Sequence, residues 1–313
     1  MNTSHLDIII VNWNSGDLLQ KCINSISEAK TTITCKIIVI DNASDDDSLS
    51  RIPTSNNINV VKNKTNVGFG AACNQGVKLG SSEFVLFLNP DAEVRKDTIE
   101  ASINLITKNP SITVLGCKQV NGDGVVLRTC ARLLTLRNYT YKLIGLSKLL
   151  PNIFLGSHMV EWDHKDSREV EHVMGSYYLI KRVDLLDIGL FDETFFVYLE
   201  DLDLSRRVIE NKGKIFFAAD IEIYHETGGT SKQVKAKRLF YSLSSVIVYA
   251  NKYFTKINYS ILCFMVLFIE PSIRILVSLI KVDFTTLNEV ITAYKMLYQW
   301  FGNKKAPKRQ INL

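Results

Sequence analysis

Glu83-Phe84-Val85-Leu86-Phe87-Leu88-Asn89-Pro90-Asp91-Ala92-Glu93-Val94 is the stretch on which the reading of this chain turns. An apolar run of strand length stops abruptly at Asn-Pro-Asp, and a second carboxylate, Glu93, follows two residues later. In an open α/β sheet, ligands gather just beyond the carboxyl ends of the strands. Asp91 and Glu93 are the first groups met there, hard oxygen ligands suited to Mg²⁺ or Mn²⁺. Pro90 fixes φ, removes a donor and ends sheet pairing, which sets the acidic tip in a defined turn. An ordinary strand exit would use the same residues, because Asn, Pro and Asp are all turn formers. The surrounding chain has to decide between the two.

Up to about Gly116 the chain alternates strand-like and helix-like segments. Leu6–Asn12, Lys36–Asp41, Ile58–Val61, Phe84–Leu88 and Ile112–Gly116 read as strands. Between them, Asp17–Glu28 carries Leu18, Leu19, Cys22, Ile23 and Ile26 on one helical face. Gly68–Leu79 and Thr98–Lys108 read as further helices. Continuous apolar strands in such alternation predict an α/β fold, a mostly parallel sheet with helices on both faces. Asn121-Gly122-Asp123-Gly124 then predicts a hairpin turn. Residues 128–172 defy assignment and carry Arg128, Arg132, Arg137, Lys142 and Lys148 among apolar residues, as a surface-lying segment would. A strand over Val173–Ile180, a short helix, a helix opened by Glu200-Asp201 with Gly213 as C-cap, and two short strands, Lys214–Ala218 and Ile221–Tyr224, complete this part.

The chain has 313 residues, 46% of them hydrophobic and 22% charged, enough for a sizeable core and inconsistent with wholesale disorder. Its net charge of +5 suits an anionic ligand or a membrane surface. No interleaved basic and aromatic stripe is present, so nucleic acid is not an expected partner. Six scattered cysteines without CxxC or zinc spacing read as reduced core thiols. A polar N-terminus leading straight into a strand carries no secretory signal, and a cytoplasmic location is expected.

The last third changes character. Tyr259–Ile269 is almost wholly apolar, but Glu270, Pro271 and Arg274 interrupt it before Ile275–Ile280. The uninterrupted run falls short of the ~20 residues a span needs. The expectation is therefore a helical extension over 256–313 lying in the membrane interface. Tyr294, Tyr298 and Trp300 would sit near headgroups, and Lys304, Lys305, Lys308 and Arg309 would face anionic lipid. A buried helical hairpin or a homodimer interface is the alternative.

Several polar groups sit where ligands of such a sheet would bind. Asn12-Trp13-Asn14 and Asp41-Asn42 each end a strand, where a carboxylate and amides can hydrogen-bond a base or ribose; turn chemistry and capping compete for Asn14, Ser15 and Ser44. Asn66-Val67-Gly68-Phe69-Gly70, with Asn74 beyond, opens a helix through glycines and lets backbone amides approach a pyrophosphate. As a dinucleotide fingerprint it fails, since the third glycine is absent and the first strand does not precede it. Glu200 and Asp201 would stabilise a helix N-terminus in any case, and Asp203 can pair with Arg206 or Arg207. His225 precedes Thr227-Gly228-Gly229-Thr230-Ser231, in a loop of the kind that carries ligands.

In order and spacing these segments resemble the inverting family 2 glycosyltransferases of the GT-A fold, especially the bacterial rhamnosyltransferase-like branch that builds cell-surface polysaccharides. The matching residues are Val11-Asn12-Trp13-Asn14, Asp41-Asn42-Ala43-Ser44-Asp45, Asn66 to Gly70 with Asn74, and Leu88-Asn89-Pro90-Asp91. They continue through Gly175-Ser176, Phe191-Asp192-Glu193 and Tyr198 to Leu204 with Glu200-Asp201, and end at His225-x-x-Gly228-Gly229-x-Ser231. The resemblance covers about residues 6–255. It implies a GT-A domain over 1–255, with a nucleotide-sugar half to 116 and an acceptor half beyond.

The resemblance also implies roles. Asn12, Trp13, Asn14, Asp41, Asn42, Asn66, Gly68, Gly70, Asn74 and Asn89 would bind the donor, with Asp41 at the base. Asp91 would bind Mg²⁺ or Mn²⁺ as the last Asp of a DxD motif whose first position is Asn89 here, and His225 would help to hold the metal. Asp201, from the Glu200-Asp201 pair, would be the general base. Gly175, Ser176 and Asp203 would face the acceptor. The implied activity is transfer of a sugar, with inversion, from dTDP-rhamnose or a UDP-sugar to a glycan on a polyprenyl diphosphate carrier, at the inner face of the plasma membrane. A nucleotidyltransferase would need a basic Gly-rich loop near the first strand, and Asn12 to Gly16 has no Lys or Arg. A non-catalytic nucleotide-sugar-binding partner is the other alternative; retention of Asp91 and Glu200-Asp201 argues against it.

Overall fold

The computed structural model describes residues 5–226 and 234–303. It divides into two compact units, 1–193 with 200–230, and 194–199 with 231–313. The loop 227–231 and the basic residues Lys304, Lys305, Lys308 and Arg309 lie outside the described residues.

In the first unit, β1 (His5–Asn12), β2 (Thr34–Asp41), β3 (Ile58–Lys62) and β4 (Phe84–Leu88) form a parallel group with β1 between β2 and β4. Helices α1 (Asp17–Ser27), α2 (Phe69–Leu79) and α3 (Thr98–Lys108) make the crossovers. A short β5 (Ala92–Val94) follows the Asn-Pro-Asp turn, and β6 (Ile112–Val120) runs past its expected end at Gly116. The Asn121 to Gly124 turn closes on a Val120–Val126 bridge. The strand order is β3-β2-β1-β4-β10-β6-β11-β5, where β10 is Tyr177–Lys181 and β11 is Lys214–His225. β10 runs antiparallel between β4 and β6, whereas β11 is parallel to β6.

Alternation along the strands builds two cores. Ile8 and Ile10 join Leu19, Cys22, Ile23, Ile99, Ile103 and Ile106 of α1 and α3 on one face. Ile9 and Val11 join Cys73 and Val77 of α2 on the other, where α6 (Arg182–Ile188) and α7 (Glu200–Glu210) add Leu185, Leu204 and Val208. The period of two sends successive residues to opposite faces, so every strand residue of β4 is buried. All six cysteines are free thiols.

The segment 128–172 resolves into a two-stranded ribbon, β7 (Cys130–Ala131) with β9 (His172–Val173), around the helices α4 (Leu136–Leu143) and α5 (Leu146–Leu149). A short β8 (Arg168–Val170) edges β11. Three expectations are corrected. The strand expected over Val173–Ile180 breaks at 174–176, because Val173 ends β9 in one sheet and Tyr177 begins β10 in another. The two strands expected over Lys214–Tyr224 are one twelve-residue strand with a register shift between Ala218 and Glu222, which absorbs the polar break at Asp220. The left-handed residue closing α7 is Lys212 (φ 62), with its N–H on Ile209 O and that of Gly213 on Val208 O. Gly213 stands one residue later because a Cβ there would meet Thr113 Oγ1 at 2.7 Å.

The second unit is helical: Lys235–Tyr253, Lys256–Ile280 and Phe284–Asn303. Phe196 stacks on Tyr241 at 4.6 Å, and Ser245 Oγ donates to Val197 O at 2.8 Å, which seats the 194–199 segment on the first of these helices. The helix continues through Glu270, Pro271 and Arg274, the residues that interrupt the apolar run. A π-helical turn, Met265–Ile269, precedes Pro271, and the Leu267 carbonyl that proline cannot reach accepts the Tyr298 hydroxyl at 2.6 Å. Glu270 and Arg274 pair at 2.6 Å along the same face. The resulting 25-residue helix contains an 18-residue stretch of mean hydropathy 2.0 and is long and apolar enough to cross a membrane by length and composition. Tyr294, expected near headgroups, is instead buried within this unit, while Tyr298 is exposed.

At the amino end of the central strands, Asp7 is fully buried and accepts from Ser82 N (2.9 Å), Ser82 Oγ (2.8 Å) and Arg182 Nη2 (2.5 Å). Arg182 also donates to Ser82 O and Val77 O. Removing one partner strands the other charge in the interior. Asp7→Ala is expected to lose about 3–5 kcal/mol of stability, read from the urea midpoint at constant slope. A loss under about 0.5 kcal/mol would show that the pair is dispensable.

Candidate active site

The carboxyl ends of β1 and β2 are joined by side-chain amides. Asn12, fully buried, points Nδ2 at Asp41 Oδ1 (2.7 Å), Ser48 Oγ (2.9 Å) and Ser44 Oγ (3.0 Å), and its Oδ1 accepts from Ser15 Oγ. Asp41 Oδ2 accepts in addition from Ser44 N. Asn14, at φ 50, accepts from Asp45 N at 2.7 Å through Oδ1. These are contacts of a tight turn, so the amides of Asn12 and Asn14 brace the strand ends that frame Asp41. Trp13 is partly exposed beside them.

Asn42 works in the same way one strand across. Its Nδ2 donates to Asn66 Oδ1 (2.8 Å) and Gly68 O (3.2 Å), and its Oδ1 accepts from Val67 N (3.0 Å). The loop entering α2 is thereby pinned to β2. Gly68 takes φ 93, which favours glycine. Gly70 serves close packing: a Cβ there would lie 3.1 Å from Phe191 Cβ and 3.6 Å from Glu200 Cβ. Asn74 holds the Phe191 backbone at both ends, accepting from its N–H at 3.0 Å and donating to its carbonyl at 2.9 Å.

Beyond β4, the Asn-Pro-Asp turn is clamped from two sides. Asn89 N–H donates to Ser176 O at 3.1 Å, and β5 pairs antiparallel with the end of β11, with Ala92 opposite His225. This pairing sets His225 Nε2 3.1 Å from Asp91 Oδ1, with both side chains buried. His225 Nδ1 has no hydrogen-bond partner among the described residues. No group of three or more His, Cys, Asp or Glu able to hold a metal occurs among the described residues. Glu93, the other carboxylate of the turn, is part-exposed on β5.

Opposite the turn, α7 starts after two left-handed residues, Tyr198 (φ 70) and Leu199 (φ 65). Such backbone costs about 1–3 kcal/mol per residue and occurs where surroundings over-determine it. Asp201 Oδ2 accepts Gly175 N–H at 2.9 Å, and its Oδ1 accepts Leu202 N–H at 2.8 Å. Both oxygens are thus oriented by backbone donors, and the side chain retains 16% exposure, enough to meet a ligand. Glu200 is different. It is buried, its Oε2 has no partner among the described residues, and burial, with the Asp201 charge adding, pushes its carboxyl well above the ordinary range. Asp203 is fully buried and accepts Arg207 Nε at 2.9 Å, while Arg207 also reaches the carbonyls of Ile188, Gly189 and Leu190. Arg206 pairs with Glu210 instead. Ser176 is buried with its hydroxyl on Gln119 Oε1.

The structure therefore gathers Asn89, Asp91 and His225 at one end, and Gly175 and Asp201 at the other, linked through Ser176. Asn12, Asn42, Asn66, Asn74, Ser176 and Asp203 hydrogen-bond to the scaffold. One neighbour escaped the sequence reading. His172, buried on β9, places Nε2 3.7 Å from Asp201 Oδ2 and shares Nδ1 with Ser205 Oγ at 2.9 Å, which in turn meets the Tyr178 hydroxyl at 3.3 Å. Burial lowers its imidazole pKa against a smaller upward pull from Asp201. A two-residue strand leaves no periodicity by which to single it out.

Two outcomes test this division. Asn12→Ala leaves several buried groups unpaired, at about 1–3 kcal/mol for such a group, and is expected to lower stability by at least that much in urea unfolding. Glu200 has a folded pKa above its unfolded value near 4.3. As pH rises past that unfolded value the unfolded chain releases a proton that the folded chain keeps, so stability falls until the folded value is passed. Glu200→Gln should remove this fall, and melting temperatures of the two proteins should diverge in favour of the variant as pH increases from 5 to 8, about the range over which such linkage is read. Parallel curves would contradict the assignment.

Comparison with known proteins places the chain in a family and a fold. The profile described as Glycosyl transferase family 2 matches residues 7–197. The N-acetylglucosaminyl-diphospho-decaprenol L-rhamnosyltransferase of Mycobacterium tuberculosis is 24% identical over 254 residues, covering 76% of this chain and 81% of that one. Among solved structures, the mannosyltransferase PcManGT from Pyrobaculum calidifontis, in complex with GDP-Man and Mn²⁺, superposes with a TM-score of 0.55 at 13% identity, covering 99% of this chain and 77% of that one. GalNAc-T7 with UDP, GalNAc and Mn²⁺ gives a TM-score of 0.58 at 16% identity over 83% of this chain, which spans 49% of that structure. At these identities the structural likeness carries the GT-A fold alone. The profile match spans more than half of the chain, and the protein belongs to glycosyl transferase family 2.

Proposed function

We propose that this glycosyltransferase moves a sugar, with inversion, from a nucleoside diphosphate donor to a glycan on a polyprenyl diphosphate carrier at the cytoplasmic face of the plasma membrane. The observation that carries the reading is the juxtaposition of Asp91–His225 and Asp201 across the single segment Gly175–Ser176. The mycobacterial relative, named for a diphospho-decaprenol-linked acceptor and rhamnose transfer, supports the lipid-linked acceptor and dTDP-rhamnose as a first donor to try, ahead of UDP-sugars.

In this reading Asp41 meets the base, and the loop 66–70 lies along the diphosphate. Asp91 and His225 would hold Mg²⁺ or Mn²⁺. One carboxylate and one imidazole fit such an ion because most of its remaining positions are ordinarily filled by diphosphate oxygens and water. Asn89 offers a neutral amide where a second carboxylate would add charge. When bound, the ion would neutralise the negative charge that grows on the departing diphosphate. Asp201 takes the proton of the acceptor hydroxyl. Its two backbone hydrogen bonds leave lone pairs on both oxygens, and they fix the carboxylate before the acceptor arrives. Glu200, buried and poorly solvated, supports the helix start rather than the proton transfer. The apolar helix Lys256–Ile280, with Ile257, Phe264, Phe268 and Ile280 exposed, supports membrane association of the second unit.

Asp201→Asn should reduce turnover by about 10²–10⁴-fold with donor affinity retained, measured by isothermal titration beside a transfer assay. Turnover within a few-fold of the parent would sink the base assignment. Asp91→Ala is expected to abolish the stimulation of transfer by added Mn²⁺ and to weaken binding of the nucleoside diphosphate product in its presence.

A further inference from the structure

We infer that the α4–α5 face of the catalytic unit is a bilayer-contacting surface built for anionic lipid. Between Asp123 and Glu161 the sequence has no acidic residue, yet it carries Arg128, Arg132, Arg137, Lys142 and Lys148. Five large apolar side chains, Ile144, Leu149, Leu150, Ile153 and Leu155, are exposed within twelve residues, Leu149 at 74% and Ile153 at 69%. Single exposed leucines are ordinary on protein surfaces, but a contiguous group inside an acid-free basic segment is not.

The exposure is imposed by a well-tied backbone. Thr135 and Asn138 form a reciprocal capping box at the start of α4, and Asn138 Nδ2 donates to Leu133 O at 2.8 Å. Tyr141 packs edge-on to Phe154 with ring centroids 5.1 Å apart, and Phe154 N–H bonds Leu150 O at 2.9 Å. Arg132 closes the base of the segment through Gly156 O (3.0 Å), its own N–H on Ser157 O (2.8 Å) and an ion pair with Glu161. The inward aromatics and caps hold the segment, and the aliphatic residues are left facing outward. Lys142 and Lys148 are exposed on the same α4–α5 segment.

An apolar patch with a cationic border matches the interface of an anionic bilayer, where aliphatic side chains enter the acyl boundary and lysines meet phosphate headgroups. The segment 124–160 offers exposed cations and no carboxylate, a one-signed charge that complements phosphate headgroups. The segment springs from the β7–β9 ribbon that carries His172, 3.7 Å from Asp201. Resting on the proposed lipid-linked acceptor, this surface would bring headgroup and carrier diphosphate to the acceptor side of the catalytic unit. The contact itself does not depend on that reading.

The test uses the full chain with an environment-sensitive fluorophore on Leu149→Cys, since five of the six native thiols are buried. Phosphatidylglycerol vesicles should shift its emission to the blue, and phosphatidylcholine vesicles should not. The same label on Asn56→Cys, exposed in the turn before β3, should not respond. Lys142→Glu with Lys148→Glu should weaken the response to phosphatidylglycerol by roughly tenfold or more. An unchanged emission at position 149 while the protein co-sediments with the vesicles would overturn the inference, because contact would then be made elsewhere. So would a blue shift without vesicles that grows with protein concentration, which would make the occupant a second copy. Transfer to a water-soluble acceptor, assayed alongside, reports separately on the reaction.

Discussion

Two adjacent peptide groups, Gly175 and Ser176, hold the acidic ends of the site at a fixed separation. The Ser176 carbonyl accepts Asn89 N–H at the turn that carries Asp91, and the Gly175 N–H donates to Asp201 Oδ2 at the start of α7. Glycine suits the position, since a Cβ at 175 would stand 3.3 Å from that same oxygen, tighter than an ordinary contact. The arrangement follows from topology. β10 enters antiparallel between β4 and β6, so its amino end lies beside the carboxyl end of β4. In a wholly parallel sheet the strand beside β4 would present its carboxyl end there, and no backbone donor would be delivered in this way.

The same site shows why so many amides collect at the strand ends. Ending parallel strands together creates a concentration of carbonyls, turns and acidic groups with little water to solvate them, and buried polar groups are costly unless paired. Asn12, Asn42 and Asn74 each offer both a donor and an acceptor, so one side chain closes two gaps. Asn42 ties β2 to the entry of α2, and Asn74 ties α2 to Phe191. Rigid support of this kind fixes the strand ends that carry Asp41 and Asp91.

This explains what was legible in the sequence. Long apolar runs separated by amphipathic helices specify β1 to β4 and α1 to α3 closely, because period and burial agree along each element. The strand-end motifs mark the site, but residue type does not distinguish an Asn that touches ligand from one that braces the residue beside it. The i,i+3 and i,i+4 spacings allow Asp203 either Arg206 or Arg207, and the pairing with Arg207 in a fully buried position is a tertiary effect absent from local pattern. Residues 128–172 were illegible because their strands are two or three residues long and gain definition only from β9 and β11. The continuity of the long C-terminal helix through Pro271 has no local signal, because the lost backbone bond is made good by Tyr298, 31 residues away in sequence.

Glu200 and Asp201 illustrate how neighbouring carboxylates take different tasks. Both occupy the first turn of α7, where the helix dipole favours negative charge. Charging both in a buried setting would set like charges side by side with little solvent between them, and environments that separate such groups are how acid and base roles are divided. Glu200 is enclosed against the Gly70 position and has one oxygen without a partner among the described residues. Asp201 has a backbone N–H on each oxygen, an imidazole 3.7 Å away and access to solvent. His172 is in turn held by Ser205 and, through it, by the Tyr178 hydroxyl, so the orientation of Asp201 is backed by a buried polar chain reaching into β10. The turn that supplies the Gly175 donor leads directly into β10, which carries Tyr178. The Asp201 carboxylate is thus aligned from two directions by β10 and the turn that leads into it, an arrangement that depends on β10 running antiparallel to β4.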